Sequence, residues 1–140
     1  MLIIDEEHHF GVVQKEKLKE QRIVIAGGGS AGLGIAHYFL EACALQGISM
    51  NDAKRNLYIV DRYGLVHRGQ KIEVGEEIQK FAQDENHLQS WKVMNREKIG
   101  LLEVISNVQP TILIGVTAQS GLFTEELIRE MAKYTERPII

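Results

Sequence analysis

Residues 22–34 read Arg-Ile-Val-Ile-Ala-Gly-Gly-Gly-Ser-Ala-Gly-Leu-Gly, placing Gly27, Gly29 and Gly32 in a G-x-G-x-x-G spacing directly after an apolar run. Glycine types at those three positions suit binding of a dinucleotide pyrophosphate. Gly27 can take the tight strand-to-helix turn, Gly29 lets the backbone approach the phosphates, and Gly32 lets the new helix pack on the strand. A helix starting at Ser30 and Ala31 aims its unpaired N–H groups and the positive end of its dipole at the anion, so no basic side chain is needed. Twenty-nine residues after Gly32, Asp61 closes the apolar run Leu57-Tyr58-Ile59-Val60. A carboxylate at the end of the second strand hydrogen-bonds the adenosine ribose hydroxyls in this kind of fold. The other reading of Asp61 is a turn-initiating residue ahead of Tyr63-Gly64.

Further clusters of reactive types offer less. Asp5, Glu6, Glu7, His8 and His9 are adjacent metal-ligand types. Neighbours on a strand point to opposite faces, so a solvated acidic terminus is the favoured reading and no metal site is assigned. Cys43, the sole cysteine, falls on the apolar side of the helix after the glycines and reads as a buried structural thiol rather than a redox centre. His37, His67 and His87 have no acid or nucleophile at a readable spacing and are treated as ordinary histidines. Ser30 lacks the G-x-S-x-G elbow of a hydrolase nucleophile, and a phosphate contact suits it better. No residue is assigned a catalytic role.

The elements that must position the site follow from the hydrophobic pattern. Residues 22–26 form a strand, and residues 31–46 form a helix with Leu33, Ile35, Ala36, Phe39, Leu40 and Cys43 inward, ended by Gly47. Residues 48–56 read as a polar loop that absorbs the long spacing between Gly32 and Asp61, and residues 57–61 as the second strand. Residues 71–82 suggest one irregular helix. A clearer helix is expected over 95–108, with Asn95 as N-cap and Ile99, Leu102, Ile105 and Val108 at helical spacing. After Pro110, residues 111–116 make a near-continuous apolar run, as in a parallel strand buried on both faces and ending beside the glycine turn. Residues 117–121 form a small polar loop. Thr124 caps a last helix whose buried face is Leu127, Ile128, Met131 and Ala132, and residues 137–140 start a final strand. Strands alternating with helices predict a Rossmann-type, doubly wound, mostly parallel α/β sheet in three αβα layers.

With 140 residues, 44% of them hydrophobic and 25% charged, the chain suits one ordinary core. A formal net charge of −3 and a pI near 6.0 provide no electrostatic footprint for nucleic acid or an anionic membrane. No apolar run approaches the roughly 20 residues that span a bilayer, and no basic segment followed by an apolar one opens the chain. A soluble, cytoplasmic protein is the expectation.

The blocks Glu20-Gln21-Arg22-Ile23-Val24 through Gly34, Val60-Asp61-Arg62-Tyr63-Gly64-Leu65, residues 110–116, and Gly121-Leu122-Phe123-Thr124-Glu125-Glu126 closely resemble the NAD-binding domain of malic enzymes, over about residues 18–140. The resemblance implies a domain of enzymes that oxidise malate with NAD or NADP and decarboxylate the product to pyruvate, using a divalent metal. It implies that Gly27, Gly29, Ser30, Ala31 and Gly32 hold the pyrophosphate, Asp61 the ribose, and that Val116 and Thr117 border the cofactor. NADP-preferring relatives tend to carry a lysine where this chain has Tyr63, so NAD is favoured over NADP, although an Arg62 guanidinium also suits a 2′-phosphate. The family's catalytic tyrosine and lysine and its acidic metal ligands precede the glycine turn, and a substrate-side asparagine follows the last strand. The chain by itself is therefore expected to bind the dinucleotide without turning over malate, with the metal belonging to the parent enzyme.

Residues 1–20 resemble something else. Asp5-Glu6-Glu7-His8 followed by Phe10-Gly11-Val12, Gln14 and Lys15-Glu16-Lys17-Leu18-Lys19 is similar to the Asp-Glu-x-His box of transcription-repair coupling and branch-migration translocases. There is no G-x-x-x-x-G-K-[ST] loop to accompany it, so ATP hydrolysis is not expected. The two resemblances meet near Lys17 to Arg22, as in a chimera of an N-terminal extension, 1–20, and a dinucleotide-binding domain, 21–140, cut off at its final strand; a coincidental extension or a cloning artefact is the alternative. A chimeric or structural folding module with no ligand function is the second functional reading, and self-association through exposed apolar surface is expected with either.

Overall fold

The computed structural model of the chain describes residues 15–70, 74–116 and 125–133. In chain order the elements are α1 (Lys15–Glu20), β1 (Ile23–Ala26), α2 (Ser30–Leu45), α3 (Met50–Arg55), β2 (Leu57–Asp61), β3 (Gly64–Leu65), α4 (Glu76–Gln79), α5 (Glu85–Leu88), α6 (Leu101–Val108), β4 (Ile112–Gly115) and α7 (Glu125–Ala132). The strands form one sheet in the order β3-β2-β1-β4. β1 is parallel to both neighbours, with Ala26 opposite Val60 on one side and Gly115 on the other. β3 returns antiparallel on β2.

Period-2 alternation sorts the sheet into two cores. Ile23, Ile25, Leu57, Ile59 and Ile112 face a cluster with Leu18, Ala36, Phe39, Leu40, Cys43, Ala53 and Phe81. Val24, Ala26, Tyr58, Val60 and Leu113 face the opposite one, with Trp91, Ile99, Val104, Ile105 and Leu127. Both faces of the parallel strands are thus covered by helices, which is why their sequences read as continuous apolar runs. Each fully buried side chain of this size contributes about 1.5–3 kcal/mol. The expected three-layer α/β sheet is what the chain forms. Chain order reverses at β1, with β2 on one side and β4 on the other, and the crevice at the carboxyl ends of these strands is where such sheets take ligands.

Several local expectations are corrected. Residues 48–56 are not a loop: Ser49 Oγ accepts the Asp52 amide at 3.2 Å, and this cap starts α3, which buries Ala53. Asn95 does not cap a helix. Its Oδ1 accepts the Glu97 amide at 2.9 Å in a turn, and α6 begins only after Gly100, so Ile99 is buried from a loop. The irregular helix expected over 71–82 is confined to the four residues of α4 among those described. Neither β3 nor α5 was expected. On α7, Leu127 is buried but Ile128 is 42% exposed. The Thr124 cap and the final strand lie outside the described residues. Among the described residues no helix is long and apolar enough to cross a membrane.

Candidate functional site

The glycine turn leaves β1 between its two neighbours. Gly27 sits at φ +135°, a conformation that side-chain-bearing residues rarely adopt, and its amide donates to the Val60 carbonyl at 2.8 Å. On its other side the Val116 amide donates to the Ala26 carbonyl at 3.0 Å. A Cβ on Gly27 would stand 3.0 Å from the Val116 backbone and side chain. Val116 therefore borders the turn by direct contact. A Cβ on Gly32 would overlap the Gly27 carbonyl oxygen, so the first turn of α2 packs on the loop with no room for a methyl group.

Gly29 has a different environment. It is the N-cap of α2, with extended backbone at φ −80° and ψ −170°, and no side chain caps the helix. A Cβ there would meet nothing within 4 Å. Ser30 and Ala31 are exposed, and the first α-helical bond is donated by Leu33 to Gly29 at 3.0 Å. The amides of residues 30–32 therefore precede the helical ladder and carry its positive end into open space. The absence of acidic side chains in that first turn leaves this field uncompensated from within the helix.

Asp61 ends β2 beside the turn: a Cβ on Gly28 would lie 3.2 Å from Asp61 Cβ. Its Oδ1 accepts the Tyr63 amide at 2.8 Å, so Asp61 starts the tight turn into β3, while Oδ2 takes no hydrogen bond among the described residues. Arg62 is exposed, with its guanidinium 4.8 Å from the Tyr63 ring centroid, a cation–π distance. Gly27, Gly29, Ser30, Ala31, Gly32, Asp61 and Val116 are thereby gathered at one sheet edge, with Arg62 next in chain. Thr117 lies outside the described residues, as do residues 5–9.

One residue at this edge escaped sequence reasoning. Ile78, buried on α4, fills the space that a Gly28 side chain would occupy. Its sequence signal was its place in the apolar pattern Ile72, Ile78, Phe81 and Ala82 that suggested the helix over 71–82, which does not say what it covers.

The histidines are not isolated either. His67 is 1% exposed and its Nδ1 lies 2.5 Å from Glu85 Oε1. His87 Nε2 lies 2.8 Å from the Tyr58 hydroxyl, and burial pushes that phenol up to about 12. His37 is exposed, 3.8 Å from Glu77, and sits edge-on to Phe81. These partners are 18, 29 and 40 residues away in sequence, beyond any local pattern. Cys43 is buried and free, and burial raises its thiol to about 11, as expected of a structural cysteine. A concavity of about 350 Å³ at the opposite end of the sheet is walled by Leu18, Phe39, Cys43 and Ile48. It contains none of the predicted site residues.

The sequence model of the family described as "Malic enzyme, NAD binding domain" matches residues 10–140. The match begins inside the segment that resembled a translocase, leaving only residues 1–9 outside it. An NAD-dependent malic enzyme of Photorhabdus laumondii is 43% identical over 125 residues, 89% of this chain and 22% of that protein. NAD-dependent malic enzymes of Salmonella paratyphi B and Salmonella newport are each 44% identical over 124 residues, with the same coverage. The chain thus spans about a fifth of the length of the curated relatives it matches.

Proposed function

Because this chain belongs to the malic enzyme NAD-binding domain family, we propose that it binds NAD across the carboxyl edge of its sheet. The observation that carries this reading is the uncapped N-terminus of α2 opening on free space at Gly29, one strand away from Asp61. In this assignment the amides of Ser30, Ala31 and Gly32 hold the pyrophosphate, with Gly27 and Gly29 giving it access. Asp61 accepts from the adenosine ribose through Oδ2, its Oδ1 already bound to Tyr63. Val116 and Thr117 border the cofactor.

Preference for NAD over NADP is supported by the same edge. A 2′-phosphate would meet the Asp61 carboxylate, and the adjacent Ile78 supplies no positive charge. Arg62 is the one cation beside Asp61 in sequence, and its guanidinium is stacked on Tyr63.

Bound NAD would supply hydride acceptance. The chain's own residues orient and hold it. In the whole protein, of which the chain covers about a fifth of the relatives' length, the reaction proposed is oxidative decarboxylation of malate to pyruvate. Among the described residues no three His, Cys, Asp or Glu side chains converge to hold a metal ion, so they do not fit the divalent metal of that reaction, and no step is assigned through it. We assign the domain proper to residues 21–140.

A folding module with no ligand function is the competing reading, favoured by the turn-forming bond between Asp61 and Tyr63. Titration of the full chain with NAD and NADP by calorimetry at one fixed salt separates the two. Saturable NAD binding with weaker NADP binding supports the site, and no heat with either supports the module. Leu45, Met50 and Met94 are 80%, 59% and 97% exposed, and sedimentation in the same buffer tests the self-association such surface favours.

A further inference from the structure

The short helix α5 is tied to the rest of the chain by side chains at its two ends. At its start, Glu85 Oε1 accepts from the Gly69 amide at 2.7 Å and lies 2.5 Å from His67 Nδ1. Near its end, His87 Nε2 lies 2.8 Å from the hydroxyl of Tyr58 on β2, with the two rings stacked at 6.0 Å, and Leu88 is fully buried. Arg96 donates to the carbonyls of Leu88, Gln89 and Trp91 at 3.0, 3.1 and 3.0 Å, which joins the end of α5 and Trp91 into one piece. The Trp91 ring is itself 5.7 Å from that of Tyr58.

The direction of the Tyr58 bond decides what acid does to it. The imidazole also hydrogen-bonds the Arg55 backbone in a contact that favours the charged ring, so it gives an N–H to the Arg55 carbonyl. A neutral imidazole has one N–H to give. Nε2 is then the acceptor and the Tyr58 hydroxyl the donor. A proton taken up on Nε2 would stand against the hydroxyl hydrogen and leave the hydroxyl of Tyr58, 4% exposed, without its acceptor.

The surroundings of the ring oppose that proton. Burial and the Arg55 guanidinium on α3 outweigh the Arg55 backbone contact and Asp84, and hold His87 below its ordinary 6.5. Lys19 on α1 and Asp52 on α3 are the other charged groups around the concavity that His87 helps to wall. Tyr58 stays a neutral phenol, since burial pushes it up to about 12 against the charges of Arg22 and Arg55. Glu85 stays ionised: burial opposes its charge, but hydrogen bonds from His67 and Gly69 keep it below 4.5.

We propose that the segment from His87 to Trp91 is an acid-released strap hinged at Glu85: His87 leaves Tyr58 to take a proton, and Leu88 and Trp91 leave the core with it. The open form binds more protons than the closed one, so the stability of the closed strap is present above 6.5 and is lost as pH falls from there towards the folded value of His87. Across that window the opening equilibrium rises about tenfold per pH unit, the slope of one proton, and it levels off below.

The test is amide hydrogen exchange on the full chain by NMR from pH 7.5 to 5, corrected for intrinsic rates, with the His87 ring nitrogens followed in the same samples. The amides to read are those of His87 and Trp91, which donate to the Asp84 and Leu88 carbonyls at 3.1 and 3.0 Å. The proposal expects Nε2 unprotonated at pH 7.5, a His87 midpoint below 6.5, and opening at both amides that climbs about tenfold per pH unit below 6.5 while the amides of Val24 and Ile25 stay protected. Glutamine keeps an acceptor for Tyr58 and takes no proton, so in His87→Gln the opening should not change with pH. Arg55→Gln, at an exposed position, removes an opposing charge and should move the His87 midpoint and the levelling-off of the opening to higher pH together. Protonated Nε2 at pH 7.5, opening in the parent that does not change with pH, or a slope that persists in His87→Gln overturns it. Should His87→Gln fail to fold, the joint movement in Arg55→Gln decides, and a midpoint that moves without the opening overturns the proposal.

Discussion

The carbonyl oxygen of Gly27 occupies the space that a side chain on Gly32 would need. Two glycines five residues apart are thus a matched pair: one bends the chain at positive φ, and the other lets the following helix sit on the bend. Gly32→Ala should push α2 off β1 or distort the turn, lowering stability by about 1–3 kcal/mol as for other overpacked sites. Chemical denaturation measures this, and an unchanged midpoint would show that the turn has slack.

Asp61 has two jobs that one substitution separates. Asn at this position keeps an Oδ1 to accept the Tyr63 amide, so Asp61→Asn should leave the fold and its melting temperature nearly unchanged. Removing the charge should weaken NAD binding and strengthen NADP binding, narrowing the ratio of their dissociation constants by about tenfold, or 1.4 kcal/mol. Calorimetry with both nucleotides reads this directly, and an unaltered ratio would confine Asp61 to the turn.

The Glu85 carboxyl provides a signed pH dependence. Burial opposes its charge, but hydrogen bonds from His67 and Gly69 and the positive charge of Arg96 outweigh that and keep it below the ordinary value of 4.5. A carboxyl with a depressed folded pKa contributes stability that is present above 4.5 and lost as pH falls through the folded value. Glu85→Gln keeps an oxygen that accepts from His67 and Gly69 but loses the charge, so it should remove that part of the acid limb and destabilise the chain at pH 7 by about 1 kcal/mol, the difference between charged and neutral hydrogen bonds. Melting curves from pH 3 to 7 on both chains give the comparison, and parallel acid limbs would contradict it.

Cys43 should be chemically silent. It is 1% exposed and its thiol, raised to about 11 by burial, is almost entirely protonated at pH 8. Reaction with a disulfide reagent should wait for unfolding, proceeding at the rate of global opening. Immediate labelling of the native chain would mean that α2 moves away from the sheet.

Sequence and structure agree most closely where the requirement is local. Gly27 and Gly32 were readable because a tight turn and a close backbone approach demand glycine whatever lies elsewhere, and the two-sided burial of β1 and β2 was readable as unbroken apolar runs. Legibility fails where the partner is distant. β3 is two residues long and exists because Leu65 pairs with Val60. α3 is a turn and a half that depends on the Ser49 hydroxyl. Asn95 has the composition of a helix cap, yet its side chain closes a turn, and Gly100 delays α6. His67 and Glu85, or Ile78 and Gly28, are joined only by the fold. The glycines of the turn, whose demands are those of backbone, were therefore legible, as was the carboxylate that closes an apolar run, whereas contacts made by side chains from another element, such as Ile78 against Gly28, were not.

Gly29 offers the most direct test of the account. Its backbone is extended and nothing lies within 4 Å of a Cβ placed there, so Gly29→Val should fold as the parent does, with a melting temperature little changed. The valine would nevertheless stand where the pyrophosphate must approach the α2 amides. Calorimetric titration of both chains with NAD should give saturable binding to the parent and at least about tenfold weaker binding to Gly29→Val. Equal affinities, or no binding by the parent, would contradict a nucleotide site at this edge.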